Sequence, residues 1–214
     1  MPRRRKSLIA PRKSPAQARS RQLVADVLEA AIRVLKRHGA AGFTTIRVAQ
    51  TAGISVGSLY QYFPNKESIL FRLQADEWEA TWGSVRARLF APGQKPFARL
   101  EAAVTRFFET EAEEAELRVA LDDSQELLRQ APEARALHLK ALDDLSAFIA
   151  EAAPGLRPVH HQFATRFVFV TLGAVAEKVT EQRPSGNELT AWARATSAML
   201  EHWLRAEVKR AKLE

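Results

Sequence analysis

The sequence predicts an all-α protein: an N-terminal three-helix unit containing a helix-turn-helix, then a larger helical bundle that pairs with a second copy of itself. Three observations point there. Apolar residues recur at three- and four-residue spacing along most of the chain. A glycine-punctuated stretch from Phe43 to Glu67 holds room for two short helices and a tight turn. Near the end, Leu189, Trp192, Thr196, Met199 and Trp203 alternate by three and four, a seam suited to a helix lying alongside.

The elements follow in order. Residues 1–20 are cationic, carry three prolines and little apolar content, and are expected to stay disordered until bound. From Ser20 the helical repeat begins with Val24, Val27, Leu28, Ala31 and Leu35. Lys36, Arg37 and His38 fill its last turn, where cations suit the negative end of the helix dipole, and Gly39 stops it. Thr44 is the expected N-cap of a helix over Thr45–Thr51, and Gly53 breaks it because a side chain there would clash. Ser55 caps a second short helix of about 55–62, roughly 12 Å long, which Pro64 ends. Ile46, Val48, Ala49, Ile54 and Leu59 form the small core between the two.

Asn65 caps a long helix from Lys66 that persists to Phe90, before Pro92-Gly93. Another opens near Pro96, and a further pair spans about Leu117–Gln130 and Glu133–Ala152, split at Pro132. The segment Phe163–Val179 is apolar on almost every side, so it needs neighbours on all sides. The turn Pro184-Ser185-Gly186-Asn187 leads into the seam helix, and Phe169, Leu172, Trp192, Met199 and Trp203 are the expected dimer contacts. The resulting division is a basic arm (1–20), a helix-turn-helix domain (21–66) and a ligand-binding and dimerisation domain (67–214).

Composition narrows the function. The 214 residues carry 27% charged and 46% hydrophobic residues, ordinary values for a globular protein. There is no cysteine, which excludes disulfides, Cys zinc sites and thiol nucleophiles. The uncharged run Phe167–Ala176 is too short to span a bilayer, and the N-terminus lacks a secretory apolar region, so a cytoplasmic protein with no membrane partner is expected. The net charge is +7, and residues 1–22 hold Arg3, Arg4, Arg5, Lys6, Arg12, Lys13, Arg19 and Arg21 with no acid. The body is therefore close to neutral and the arm strongly cationic. Such an arm either seeks phosphate or merely aids solubility.

The short glycine-bearing helix carries the chemistry. Leu59 and Phe63, four apart, face the core, leaving Gly57, Ser58, Tyr60 and Gln61 largely outward. Gly57 costs helix stability but permits close approach of backbone to a DNA strand. Ser58 and Gln61 can hydrogen-bond base edges or phosphates. Tyr60 and Tyr62 place hydroxyls where phosphates would lie, and Thr45 and Lys66, each opening a helix, can meet phosphate as well.

The stretch resembles the DNA-binding domain of the tetracycline-repressor (TetR) family. The family pattern is matched at Thr44, Thr45, Ala52, Gly53, Ile54, Ser55, Gly57, Ser58, Tyr60, Tyr62, Phe63, Lys66 and Glu67. The close likeness covers about residues 23–75; beyond it only helical architecture and length agree. The resemblance implies phosphate contacts from Thr45, Tyr60, Tyr62 and Lys66, and groove contacts from Ser55, Val56, Gly57 and Gln61. Arg47 sits where family members often place a base- or phosphate-contacting side chain, and basic extensions such as Arg3, Arg4 and Arg5 add contacts in several members.

The resemblance also implies a homodimer on a palindromic double-stranded DNA operator and a pocket for a small apolar or aromatic ligand. Trp78, Trp82, Phe107, Phe108, Phe148, Phe163 and Phe167 are the candidate lining, although aromatics at helical spacing are more often plain core. Release by ligand, and repression in place of activation, come from the family; an activator of the same fold or a ligand-free architectural DNA-binding protein is the other reading. No metal or cofactor is expected: His160 and His161 diverge by about 100° on a helix, and no His-x-x-x-His pair occurs. Gly-rich phosphate loops and Gly-x-Ser-x-Gly elbows are absent as well, so no enzyme is expected.

Overall fold

The computed structural model describes residues 18–39, 41–114 and 132–213. The arm residues Arg3, Arg4 and Arg5 and the expected helix at Leu117–Gln130 lie outside them. Among the described residues there are eight helices and no strand: α1 (Ala18–His38), α2 (Thr45–Thr51), α3 (Val56–Tyr60), α4 (Lys66–Leu89), α5 (Pro96–Glu113), α6 (Pro132–Ala152), α7 (Pro158–Thr180) and α8 (Gly186–Ala211). The chain falls into two compact units. The division lies after Trp78 within α4 and after Arg135 within α6.

The first unit is built on the inward stripes of its helices. Val27, Ala30, Ala31, Val34 and Leu35 of α1 meet Val48 and Ala49 of α2, Leu59 of α3, and Phe63. Ile69, Leu70, Phe71 and Leu73 bury into the same core, which is why α4 belongs to this unit as far as Trp78. Trp78, expected among the pocket aromatics, packs partly buried against this core. The first turn of α4 is held by Asn65, whose Oδ1 accepts from the Ser68 amide at 2.8 Å while Ser68 Oγ donates to the Asn65 carbonyl at 2.7 Å.

The second unit centres on fully buried Phe108, Phe148, Ile149, Leu200 and Leu204. Helix α8 lies along α5, and α7 packs against both. Trp82, Phe107 and Phe167 are partly buried against this core. Phe163, also expected in the pocket, is instead 60% exposed, and it stacks with Phe167 at 6.0 Å beside Trp203. The α7 helix is therefore not enclosed on all sides: Val170 is 62% exposed too. Thr196, read from its spacing as part of the α8 seam, turns inward with Ala193, Ser197, Leu200 and Leu204, while Trp192 and Met199 stand 47% and 49% exposed.

Polar links from one turn and a half of α4 tie this unit together. Thr81 Oγ1 donates to Glu114 at 2.6 Å, Arg106 Nε donates to Ser84 Oγ at 3.3 Å, and Asp144 of α6 accepts from Trp82 Nε1 and Arg86 Nε, both at 2.9 Å. Burial pushes the Asp144 carboxyl upward, but the Trp82 and Arg86 hydrogen bonds outweigh it and hold the group below the ordinary aspartate range. A lowered folded value means the contribution is complete above the ordinary aspartate pKa and is lost as pH falls through the folded one. Asp144→Asn is therefore expected to lower stability at neutral pH by about 1–3 kcal/mol, discounted for the half-exposed Arg86, and to flatten the acid limb of the stability curve. Urea unfolding at pH 7 and across pH 5 to 3 checks both effects.

Candidate nucleic-acid interface

Local hydrogen bonding shapes the first unit's exposed end. Thr44 is extended (φ −136°, ψ 148°), and its side chain accepts from the Arg47 amide, capping α2. Gly53 follows α2 at φ +70°, and nothing lies within 4 Å of where a Cβ would stand. The glycine is needed for its left-handed backbone, not for space as the sequence suggested. Ser55 Oγ then accepts from the Ser58 amide at 3.0 Å and starts α3. Helix α3 is shorter than expected, since Gln61 is already its C-cap and the Tyr62 and Phe63 amides both turn back to the Leu59 carbonyl.

Leu59 and Phe63 are buried, so α3 shows its other side to solvent: Gly57, Tyr60 and Gln61 are exposed and Ser58 half-buried. Val56 packs partly against the core, which limits its reach. The hydroxyls of Thr45 and Tyr60 lie 3.2 Å apart, joining the first turn of α2 to the outer face of α3. Ser58 Oγ is paired with Ser55 Oγ at 2.8 Å. Tyr62 donates its hydroxyl to Ser20 Oγ at 3.2 Å, which fastens the start of α1 to the segment after α3. Lys66 is exposed at the start of α4, its ammonium 3.9 Å from Glu67.

Arg47 is exposed but directs Nη1 to the Gly42 carbonyl at 2.6 Å. The loop there is tight, because a Cβ on Gly42 would fall 2.6 Å from the His38 carbonyl oxygen. Sequence reasoning missed Ile46. Assigned to the small core, it stands 55% exposed on α2, whose buried residues are Val48 and Ala49. Three apolar residues in a seven-residue helix do not define a face, and the side-chain directions had to come from the packing.

A capped helix, a left-handed glycine and a short helix with a hydroxyl- and amide-bearing outer side define a helix-turn-helix DNA-binding unit. Comparison with known proteins makes the assignment specific. Residues 27–73 match the family described as bacterial regulatory proteins, tetR family, and residues 95–206 match the tetracyclin repressor-like C-terminal domain. The chain belongs to the tetR family: it is a transcriptional regulator with a helix-turn-helix DNA-binding domain, not an enzyme.

The HTH-type transcriptional regulator BetI of Burkholderia mallei is 32% identical over 85 residues, which are 40% of this chain and 44% of that protein. The match thus spans less than half the length of that relative. In fold, the chain is similar to the fatty acid degradation regulator FadR from Bacillus halodurans (TM-score 0.65, 22% identity, 84% of this chain and 94% of that one). It is also similar to FadR from Bacillus subtilis, solved in complex with stearoyl-CoA (TM-score 0.62, 20% identity, 82% and 96%). Among the described residues, no helix is long and apolar enough to cross a membrane, and no cluster of three or more His, Asp or Glu could hold a metal.

Proposed function

We propose that this regulator is a ligand-released repressor that binds a two-fold symmetric operator as a homodimer. The observation that carries the reading is the solvent-facing side of α3. Gly57, Tyr60 and Gln61 are exposed on a helix anchored from behind by Leu59 and Phe63. Thr45, Ser55, Ser58, Tyr62 and Lys66 surround that side, and we assign them to phosphate or groove contacts. Val56 and Arg47 are weaker assignments, one because it packs inward and the other because it is bonded to Gly42.

Dimerisation is supported by the apolar side chains that α7 and α8 leave uncovered, Phe163, Val170, Trp192 and Met199. Phe169, Leu172 and Trp203 are partly buried against their own core and would flank such an interface. A dimer holding two α3 helices about 34–36 Å apart meets successive major grooves. For the ligand, Trp82, Phe107 and Phe167 are the aromatics we assign to contact, and the ligand is a small apolar or aromatic molecule. A partner on chromosomal DNA implies a cytoplasmic location.

The test is selection of binding sites from random duplex DNA with the full chain. The expected product is a short inverted repeat. Enrichment of no sequence, or of an asymmetric one, contradicts the reading. The basic arm is assigned to the phosphate backbone. Deleting residues 2–19 is expected to weaken binding to all duplexes and to lower the slope of log affinity against log salt by about 0.9 for each phosphate that the arm neutralises. Binding isotherms over a range of salt measure it, and an unchanged slope removes the arm from the interface.

A further inference from the structure

We propose that Ile46 is a base-reading residue that packs against the 5-methyl group of thymine in the major groove. The inference rests on the DNA-binding reading of this unit and extends it to a side chain that no hydrogen-bonding argument would select. Ile46 lies in the first turn of α2, two residues before buried Val48, hence about 200° round the helix from it. Its side chain is 55% exposed, and its neighbour Arg47 directs Nη1 to the Gly42 carbonyl. The Thr45–Tyr60 hydroxyl pair binds this same turn of α2 to the outer side of α3. The exposed isoleucine is thus the next residue along α2 from a side chain that touches the outer side of α3. Single exposed apolar residues are common and alone signify nothing. At this place, however, the partner is a DNA groove, and the thymine methyl is the apolar group that base edges present there. A branched aliphatic side chain offers nothing to phosphate or to a polar base edge.

The experiment uses the full chain and the operator recovered by selection, with each thymine replaced in turn by deoxyuracil, which removes the methyl alone. Wild-type protein and Ile46→Ala are titrated against the series. The expected result is one thymine per half-site at which uracil weakens the wild type about four-fold, from loss of one buried methyl, and leaves Ile46→Ala unaffected. Equal sensitivity of both proteins at every thymine, or none in either, overturns the assignment. A selection that enriches no sequence overturns the operator reading and this assignment with it. Matching circular dichroism and melting of the two proteins separates a missing methyl interaction from a damaged fold. Because Ile46 is mostly solvated, no change in melting is expected.

Discussion

Replacing Gly57 by alanine is expected to leave the protein at least as stable as before and to remove most of its operator affinity. The two effects have separate causes. A Cβ at Gly57 would meet only Ser55 Oγ, at an ordinary 3.9 Å, so the folded chain has room for it. Alanine is also the better helix former, by up to about 1 kcal/mol in a helix interior and less in a first turn. The methyl would project from an exposed position on the side of α3 assigned to DNA. If the backbone there approaches a strand closely, the added carbon forces the helix outward and loosens neighbouring contacts, each worth about 1–3 kcal/mol where it reads a base. A loss of tenfold or more in operator affinity, with an unchanged or higher melting temperature, is the expected pair of results. Unchanged affinity would show that α3 does not approach DNA at this glycine.

The second large effect concerns pairing of two chains. Val170→Glu together with Met199→Glu is expected to convert the proposed dimer to monomers that retain helical content. Both residues are already solvated in the single chain, so a carboxylate on either costs the protomer little. Buried at a two-fold interface, each would appear twice without a partner, at about 3 kcal/mol or more for each unpaired charge. Sedimentation and operator titration should both change: half the mass, and loss of tight binding to the inverted repeat with weak binding to single half-sites retained. A dimer that survives both substitutions places the interface elsewhere. Trp203 is a poorer probe, because its ring lies 4.3 Å from Phe167 within the same chain and a charge there would disturb the core as well.

Much of this architecture was legible where the governing chemistry is local. Thr44, Ser55 and Asn65 were recognised as caps because a short polar side chain just before a helical repeat can accept a specific amide hydrogen. The recognition stretch was legible for the same reason, reinforced by the family pattern. Long-range packing was not. A three-four repeat marks a stripe, but it does not say which neighbour the stripe meets. In α8, Thr196 faces the chain's own core while Trp192 and Met199, on the same repeat, face out. Gly53 was placed correctly for the wrong reason, since a required positive φ and a forbidden side chain leave the same mark in a sequence. Phe163 and Trp78 show the same limit: an aromatic residue says that burial is favourable, not where it happens.

The Thr45–Tyr60 hydroxyl pair has a consequence for the speed and selectivity of binding. The contact between the two hydroxyls favours one arrangement of these side chains before DNA arrives. Encounter with a duplex therefore has less freedom to remove, a saving of at most about 0.5–1.5 kcal/mol for each side chain so restrained. In the proposed complex the two oxygens would meet the double helix at a favoured spacing, and a backbone whose local twist misplaces its phosphates would have to break the pair to be accommodated.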